Sequence, residues 1–348
     1  MSERRHKSRR EKDLTTRYHA GDLDEDQLES GQRFTKQTKG AEQNKIKQTA
    51  LLRLAQGDAA ADIDTLPIGQ VSQVYSLYVE VEHETGVRLC VVRKTLTKLS
   101  ETSIVVGDLV RFRDTGIVEE AGRPGAVIEQ VLPRKTVLTR AGSFHAHRAQ
   151  PIVANAEQML IVVSLVQPMV KWGLVDRMLV AAQGGKLVPI ICLNKIDLAR
   201  ESNNFGKHFA AAQDALGQYQ HLGIRTLQTS ARDESSINEI TGILKDKVTV
   251  LSGHSGVGKS TLISAVEPGL DIRIGPVSIV TEKGRHTTTS ARRYHLKIGG
   301  YVIDTPGVKQ FGLWGVTAEN LIEYFPDVQD GTAPSWRTDS YQSIIDSL

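Results

Sequence analysis

The segment Gly253–Ser260 constrains the fold of this chain more than any other. Its sequence, G-H-S-G-V-G-K-S, fits the G-x-x-x-x-G-K-[ST] pattern of a phosphate-binding P-loop. Apolar residues on either side predict a buried strand at 248–251 and a helix at 262–266. Glycines let successive backbone N–H groups point at phosphate oxygens, and the helix N-terminus adds to that attraction. This context favours a nucleotide site over a glycine-rich turn with a chance lysine.

The polar side chains of this segment have distinct predicted tasks. Lys259 would reach the β- and γ-phosphates, and the Ser260 hydroxyl would ligate Mg²⁺. The predicted nucleotide contacts in this part of the chain are Gly253, His254, Ser255, Gly256, Val257, Gly258, Lys259, Ser260 and Thr261.

A second motif, N-K-I-D at 194–197, follows an apolar run at 188–193 that predicts a buried parallel strand. The carboxylate of Asp197 can accept hydrogen bonds from N1–H and from the exocyclic amine of guanine, a pattern that adenine does not offer. A wrong base would leave this charge buried and unpaired. The motif therefore predicts GTP as the nucleotide and argues against an ATPase of another P-loop group.

Neighbouring residues complete the predicted guanine site. Asn194 would tie its loop to adjacent elements, and the stem of Lys195 would cover the face of the base. Ser230 and Ala231 follow a predicted strand at 226–229, and their backbone N–H groups would point towards the guanine O6.

Two further segments predict the γ-phosphate end of the site. D-T-P-G at 304–307 follows a predicted strand, and Asp304 would hold Mg²⁺ through water while the Gly307 N–H senses the γ-phosphate. G-R-H-T-T-T at 284–289 lies where a switch I loop belongs, with a threonine available as a second Mg²⁺ ligand. Thr288 is our candidate, and the choice among the neighbouring threonines stays open.

The order of these motifs along the chain is unusual. GTPases usually run from the P-loop through switch I and D-x-x-G to N-K-x-D, whereas here the segments at 194–197 and 230–231 precede the P-loop. Circular permutation preserves a fold when the original chain ends lie close together, which they often do. We therefore predict a complete α/β P-loop GTPase domain whose strands are entered at a different point.

The chain divides into a series of predicted segments. Residues 1–66 form a polar, disordered arm, whose basic head could touch nucleic acid or only promote solubility. Residues 67–150 form an OB-like, RNA-binding β-barrel. Residues 151–315 form the circularly permuted GTPase domain, and residues 316–348 form a short helical C-terminal tail.

The barrel prediction rests on short apolar runs separated by turn signals. About five strands in some 70 residues match an OB-type barrel, a scaffold that often binds nucleic acid. Periodicity leaves an SH3-like barrel open as the alternative. The predicted strands are at 71–81, 89–93, 105–112, 116–119 and 126–131.

The net charge is only +3, but the charges are unevenly distributed. Glu129 is the only acidic residue between Glu120 and Glu157, and no acidic residue occurs between Lys283 and Ile303. Such stretches suit a polyanionic partner, although a solvated face can have the same composition. The cationic residues in these stretches include Arg134, Lys135, Arg140, Arg148, Lys283, Arg285, Arg292, Arg293 and Lys297.

The composition predicts no membrane segment and no export signal. No apolar run approaches the roughly 18 residues that indicate a membrane span. The first residues, M-S-E-R-R-H-K, lack the apolar stretch of a signal peptide. Cys90 and Cys192 each lie in an apolar run, so we expect small core residues rather than a disulfide or a zinc site. We expect a cytoplasmic monomer that does not bind membranes.

Together these features resemble the RsgA (YjeQ) family of circularly permuted GTPases. The resemblance runs from about Gly69 to the C-terminus and includes P-R-K at 133–135, L-T-R at 138–140 and D-T-P-G-V-K-Q-F at 304–311. It implies GTP hydrolysis stimulated by the small ribosomal subunit, late in the maturation of that subunit. It also implies contact between the barrel and ribosomal RNA. The alternative is a GTP-binding RNA chaperone or placeholder with little turnover.

The position after D-x-x-G bears on the mechanism. Val308 stands where Ras-like enzymes place a water-orienting glutamine, so another group or the partner must orient the water. His286 in switch I is the best candidate, and the family resemblance implies the same, although this histidine could instead shape its loop or touch RNA. His254 is a weaker candidate. The predicted catalytic residues are His286, Lys259 and Thr288.

The C-terminal end departs from the family pattern. The family usually carries a zinc knuckle there, but after Phe325 this chain has no cysteine or histidine. The segment at 337–345 resembles the last helix of the family, so the resemblance implies that the knuckle is deleted. We therefore predict no zinc, because a closed structural site needs four such ligands.

Overall fold

The computed structural model describes most of the chain beyond the predicted arm. Of that arm, residues 62–66 are described, and they contain a short 3-10 turn at Ile63–Thr65. Within the described residues, no helix is both long enough and apolar enough to cross a membrane. The described residues are 62–75, 78–92, 103–118, 123–140, 150–200, 205–270, 291–305 and 311–348.

A closed β-barrel forms the first part of the described chain. Its strand order is β1-β2-β3-β5-β4, and β4 pairs back with β1. The side chains of Val71, Val81 and Ile128 are fully buried inside it. The predicted N-terminal β-barrel is confirmed. The strands are β1 (Ile68–Val74), β2 (Val79–His83), β3 (Gly86–Val92), β4 (Leu109–Val118) and β5 (Pro124–Val131).

The barrel strands divide the sequence differently from the prediction. The predicted strand at 71–81 is a hairpin, in which the Tyr75 N–H donates to the Tyr78 carbonyl oxygen at 2.8 Å. The described residues 116–118 of the predicted strand at 116–119 belong instead to β4, whose register shifts near Gly116, a residue with φ +71°. This conformation suits glycine and produces a bulge rather than the end of a strand.

The second part of the described chain is a mixed α/β domain with a helical C-terminal end, which confirms the predicted fold class. Its elements in order are β6 (Val137–Arg140), β7 (Gln150–Ala154), β8 (Gln158–Ser164), α1 (Trp172–Gly184), β9 (Val188–Asn194), α2 (Ile196–Arg200), α3 (Phe205–His221), β10 (Arg225–Gln228), α4 (Glu234–Leu244), β11 (Val248–Ser252), α5 (Lys259–Val266), β12 (Arg292–His295), β13 (Tyr301–Asp304), β14 (Phe311–Gly312), α6 (Pro326–Gln329) and α7 (Ser335–Ile345).

The main sheet of this domain has the order β10-β9-β8-β11-β13-β12. Pairing is parallel from β10 to β13, and β12 is antiparallel to β13. Every residue of β8 is buried. Met159 and Ile161 belong to one apolar core, and Leu160 and Val162 belong to the other. This is the pattern of a parallel strand covered on both faces. Because the strands are parallel, their carboxyl ends lie at the same edge of the sheet.

The barrel and the main sheet are joined edge to edge. β1 pairs with β12 in antiparallel register at Gln73 and Arg292. Next to this point, the guanidinium of Arg293 forms an ion pair with Glu82 and stacks on the ring of Tyr301, 3.2 Å from its centroid. The described strands of the barrel and of the main sheet are therefore one continuous hydrogen-bonded sheet.

A buried charge cluster attaches α7 to the rest of the domain. The guanidinium of Arg337 forms ion pairs with Asp176 in α1 and with Asp327 in α6. The hydroxyl of Tyr219 in α3 donates a hydrogen bond to Asp176 at 2.7 Å. All of these side chains are nearly inaccessible to water, so the two carboxylates depend on the Arg337 guanidinium to compensate their buried negative charge.

Arg337→Leu should destabilise the fold strongly. It would leave two carboxylates without their counter-charge, and removing one partner of a buried ion pair typically costs about 3–5 kcal/mol. Unfolding in urea, followed by circular dichroism, would measure the loss. As a control, Arg225→Ala removes an exposed pair with Glu239 at 4.0 Å and should cost no more than about 1 kcal/mol. Equal losses in the two variants would contradict the role assigned to Arg337.

Candidate functional site

The P-loop connects β11 to α5 at the carboxyl edge of the parallel sheet. Gly253, Gly256 and Gly258 have φ values of +136°, +85° and +97°. Glycine adopts these conformations without steric cost. A Cβ atom on Gly253 would lie 2.1 Å from the carbonyl oxygen of Val162 in β8. The first glycine of the motif is therefore required both by its backbone conformation and by close packing against the neighbouring strand.

Lys259 is the first residue of α5, and its ammonium group folds back over the loop. Nζ donates hydrogen bonds to the carbonyl oxygens of Gly253 at 2.7 Å and of His254 at 3.0 Å. Burial lowers the pKa of Lys259, and the charge of Asp304 opposes that effect. The loop thus surrounds a largely buried cation at a helix N-terminus, an arrangement that attracts a phosphate group.

Asp304 is the last residue of β13 and pairs in register with Leu251 of β11. Burial raises the pKa of Asp304 to about 6, opposed by the charge of Lys259 and by the Thr305 N–H. Its Oδ1 atom is buried and has no hydrogen-bond partner among the described residues. Such an atom is costly unless a ligand or water satisfies it, so the residues here fit a hydrated divalent cation.

Asn194 links the N-K-I-D segment to the P-loop. Its Nδ2 donates to the carbonyl oxygen of Val257 at 2.9 Å, and its Oδ1 accepts from the hydroxyl of Thr229 at 3.1 Å. A Cβ atom on Gly258 would lie 2.4 Å from this Nδ2. The buried amide therefore holds the end of β9, the end of β10 and the P-loop at fixed distances from one another.

Asp197 and Lys195 have partners that sequence reasoning missed. Arg232 Nη1 lies 3.6 Å from Asp197 Oδ2, and the carboxylate is 27% exposed. Lys195 Nζ donates to the carbonyl oxygen of Gln167 at 2.7 Å. No motif marks Gln167. The only available signal for Arg232 was its position directly after the S-A pair.

The S-A segment differs from the prediction in one respect. The backbone N–H of Ser230 donates to Ser236 Oγ at 3.3 Å. The N–H of Ala231 has no hydrogen-bond partner among the described residues. Of the two donors predicted for guanine O6, one is thus engaged within the protein and one is left for a ligand.

The other predicted residues fall into two groups. Ser260 and Thr261 lie in the first turn of α5, and Ser255 and His254 are exposed at the tip of the P-loop. The structure thus brings together the predicted residues of 194–197, 230–231 and 253–261 with Asp304. His286, Thr288, Gly307 and Val308 lie outside the described residues.

Several cationic side chains of the predicted stretches, among the residues that the structure describes, make contacts within the protein. Arg134 donates to both carboxylate oxygens of the fully buried Asp108, at 2.7 and 2.8 Å. Arg140 donates to Gln150 Oε1, and Lys297 Nζ lies 3.3 Å from Glu267. These contacts weaken the prediction that the stretch around Arg134 is a surface for RNA. A guanidinium held by a buried carboxylate is not free to bind phosphate.

Comparison with known proteins gives consistent matches. The family model described as RsgA GTPase matches residues 131–314. The small ribosomal subunit biogenesis GTPase RsgA 1 of Vibrio vulnificus strain YJ016 is 35% identical over 308 residues, covering 80% of this chain and 83% of that protein. The small ribosomal subunit biogenesis GTPase RsgA of Haemophilus influenzae strain PittGG is 35% identical over 262 residues, covering 75% and 71%.

Two solved structures are similar to this chain. The crystal structure of YjeQ from Thermotoga maritima has a TM-score of 0.60 and 29% identity, covering 81% of this chain and 98% of that one. YloQ, whose structure is titled a circularly permuted GTPase, has a TM-score of 0.57 and 24% identity, covering 82% and 96%. At this identity the second match concerns the fold alone.

The fold and site define a circularly permuted P-loop GTPase, because β9 and β10, which end in the N-K-I-D and S-A segments, precede the P-loop strand β11 in the chain and belong to the same parallel sheet. The matches are consistent with that class in sequence and in fold. The chain belongs to the RsgA GTPase family, and it is a GTP hydrolase.

Gly258→Ala should reduce GTP affinity by at least about tenfold. The new methyl group would displace the Asn194 amide from the P-loop, and the loss corresponds to about one buried hydrogen bond. The measurement is titration with a fluorescent GTP analogue. Gly242→Ala is the matched control, since this helical glycine has nothing within 4 Å of an added Cβ. Wild-type affinity in Gly258→Ala would contradict the tie between Asn194 and the P-loop.

Proposed function

We propose that this chain binds GTP with Mg²⁺ at the carboxyl edge of its sheet and hydrolyses it in response to the small ribosomal subunit, late in the maturation of that subunit. The main structural support is the contact of Asn194 with the P-loop, which joins the base-reading and phosphate-binding segments in one site. The names of the relatives, small ribosomal subunit biogenesis GTPases, support the choice of partner.

Guanine recognition is assigned to the 194–197 and 230–231 segments. Asp197 accepts hydrogen bonds from the base once Arg232 moves aside from its exposed ion pair. Lys195, held by the Gln167 carbonyl, lays its stem along the base, and the Ala231 N–H donates to guanine O6. The pairing of a carboxylate with two guanine donors supplies the specificity, because a base without them leaves the carboxylate unsatisfied.

Phosphate binding is assigned to the P-loop and the two groups facing it. Backbone N–H groups of 253–258 and the start of α5 surround the β-phosphate, and Lys259 exchanges its carbonyl partners for phosphate oxygens. Ser260 and Asp304 would hold Mg²⁺, with Thr288 as the proposed ligand from switch I. The ion would neutralise charge on the phosphate oxygens. The contact proposed for Gly307 is a backbone hydrogen bond to the γ-phosphate.

The proposal extends to the barrel, the polar arm and the state of the protein in the cell. We propose that the barrel is of the OB type and contacts ribosomal RNA, and that the protein is a cytoplasmic monomer. Zinc is not part of the proposal, because the segment after Phe325 offers no cysteine or histidine. The polar arm at 1–66 is proposed to be disordered, and its first residues to be a second contact for nucleic acid.

The function is tested by measuring GTP turnover against the concentration of purified small ribosomal subunits. A rate that rises and then saturates supports a subunit-stimulated GTPase. The alternative, a GTP-binding chaperone or placeholder, predicts nucleotide-dependent binding to the subunit at a rate that subunits leave unchanged. Large subunits serve as the control for unspecific stimulation by ribosomal RNA.

Asp197→Asn should switch the preferred base. The amide would present a donor to the guanine amine, so the affinity for GTP should fall by about ten- to a hundredfold, the equivalent of one hydrogen bond to a charged group. The affinity for xanthosine triphosphate should rise, since xanthine offers a carbonyl at that position. Competition titrations with both nucleotides measure the switch. Unchanged GTP affinity would show that another residue recognises the base.

His286→Ala should keep GTP affinity and subunit binding but lose most of the stimulation by subunits. With Val308 in the glutamine position, we propose that His286 orients the attacking water once switch I is ordered. Loss of a positioning group typically lowers the rate by about a hundredfold or more. Single-turnover hydrolysis with saturating subunits is the measurement, and His221→Ala, at the exposed end of α3, is the matched control. Full stimulation of His286→Ala would transfer the role to another group or to the ribosome.

A further inference from the structure

A groove of about 500 Å³ lies between the end of the barrel and the GTPase domain, outside the nucleotide site. One wall is the segment that follows β5, the other is the turn after α1, and Trp314 completes the lining. No acidic residue lines this groove among the described residues. The lining residues are Val131, Leu132, Pro133, Arg134, Lys135, Thr136, Val137, Gly184, Gly185, Lys186 and Trp314.

Two cations of this groove have no carboxylate partner among the residues that the structure describes. Lys135 and Lys186 are exposed, and neither ammonium group pairs with a carboxylate in the described parts of the chain. Arg134 differs, because its guanidinium is held by Asp108 and by the Ser103 carbonyl oxygen. The arginine therefore stiffens the wall, while the lysines offer uncompensated charge on both sides of the groove.

Trp314, which lines the groove, is exposed to water. The residue is 42% exposed. The other two tryptophans pack against Tyr219, with ring centroids 6.0 Å away for Trp172 and 5.8 Å away for Trp336. A large apolar ring left exposed beside cationic side chains is typical of surfaces that stack nucleic-acid bases.

The walls of the groove are held close together by backbone contacts. The Val137 N–H donates to the carbonyl oxygen of Gly185 at 3.0 Å. A Cβ atom on Gly185 would lie 2.2 Å from the Val137 carbonyl oxygen, so no larger residue allows this approach. Lys186 follows in a left-handed conformation, with φ +64°. The groove is thus formed before any ligand binds, which lowers the entropic cost of binding.

We propose that this groove binds a single-stranded RNA segment, with one base stacked on Trp314 and the flanking phosphates paired with Lys135 and Lys186. Stacking on an aromatic ring accepts any base, and lysines contact phosphates without reading sequence. The volume lies within the range of sites that take a small ligand or a nucleotide. The choice of RNA as the polyanion rests on the proposed function, in which the partner is a ribosomal subunit.

The test measures binding of a short fluorescein-labelled oligouridylate to the full chain by anisotropy at several salt concentrations. Trp314→Leu should weaken binding about tenfold, the loss expected when one stacked base loses its ring. Trp314→Phe should restore most of the affinity. The double variant Lys135→Ala, Lys186→Ala should reduce the slope of log affinity against log salt by about 1.4, or about 0.7 for each phosphate contact on a single strand.

Lys245→Ala is the matched control, because this exposed lysine follows α4 and is not part of the groove. It should leave affinity and salt slope close to those of the wild type. The proposal is overturned if the wild type does not bind the oligonucleotide, or if the groove variants bind it as the wild type does. It is also overturned if a glutamate-rich peptide binds in a manner that depends on both lysines but not on Trp314, because the groove would then recognise an acidic protein.

GTP turnover without subunits separates this inference from the proposed function. None of the groove variants touches the nucleotide site, so each should hydrolyse GTP at the basal wild-type rate. Loss of oligonucleotide binding with intact turnover supports the groove assignment. Normal oligonucleotide binding in a wild type that subunits do not stimulate would refute the proposed ribosomal role while leaving the groove itself intact.

Discussion

The hydrogen bond from the Asn194 amide to the Val257 carbonyl oxygen is the contact on which the nucleotide site depends. In the chain, the N-K-I-D motif, to which we assign base recognition, lies more than fifty residues before the P-loop, so its position relative to the loop depends on non-covalent contacts. The amide does so in a buried environment, where the same side chain also accepts from Thr229. Loss of either hydrogen bond would leave a buried polar group unsatisfied and destabilise the folded state. The two hydrogen bonds of Asn194 therefore fix the position of the loop.

Strand β12 is one of the described links between the barrel and this site. Arg292 of β12 pairs with Gln73 of the barrel on one side and with Asp304 on the other. β12 also follows directly after the segment at 271–290, which contains the predicted switch I. The barrel strand β1 and the strand β13, which ends in the aspartate proposed to hold Mg²⁺, therefore lie on either side of β12.

The sequence predicted the parallel strands and the P-loop well because their signals are local. A continuous apolar run such as 158–164 has few alternatives to a strand buried on both faces, and glycines at fixed spacing define the loop. The hairpin at 71–81 was missed because its turn contains neither glycine nor proline, so nothing interrupts the apolar pattern. The Lys195 partner Gln167 was missed because no motif marks its segment, and the Asp197 partner Arg232 was missed because its position after the S-A pair does not by itself predict an ion pair.

Charge patterns in the sequence give less information about function than the motifs do, and the acid-poor stretches show why. Composition counts Arg134, Lys135 and Arg293 as equal cations. In the fold, Arg134 neutralises Asp108 and Arg293 neutralises Glu82, while Lys135 alone keeps its charge for the solvent. Arginine suits the first role because its planar fork matches a carboxylate, and lysine suits the second because its ammonium remains hydrated and mobile. The cations of a stretch without acidic residues can thus form ion pairs with carboxylates that are distant in sequence. Only the three-dimensional structure shows which cations remain free for a partner.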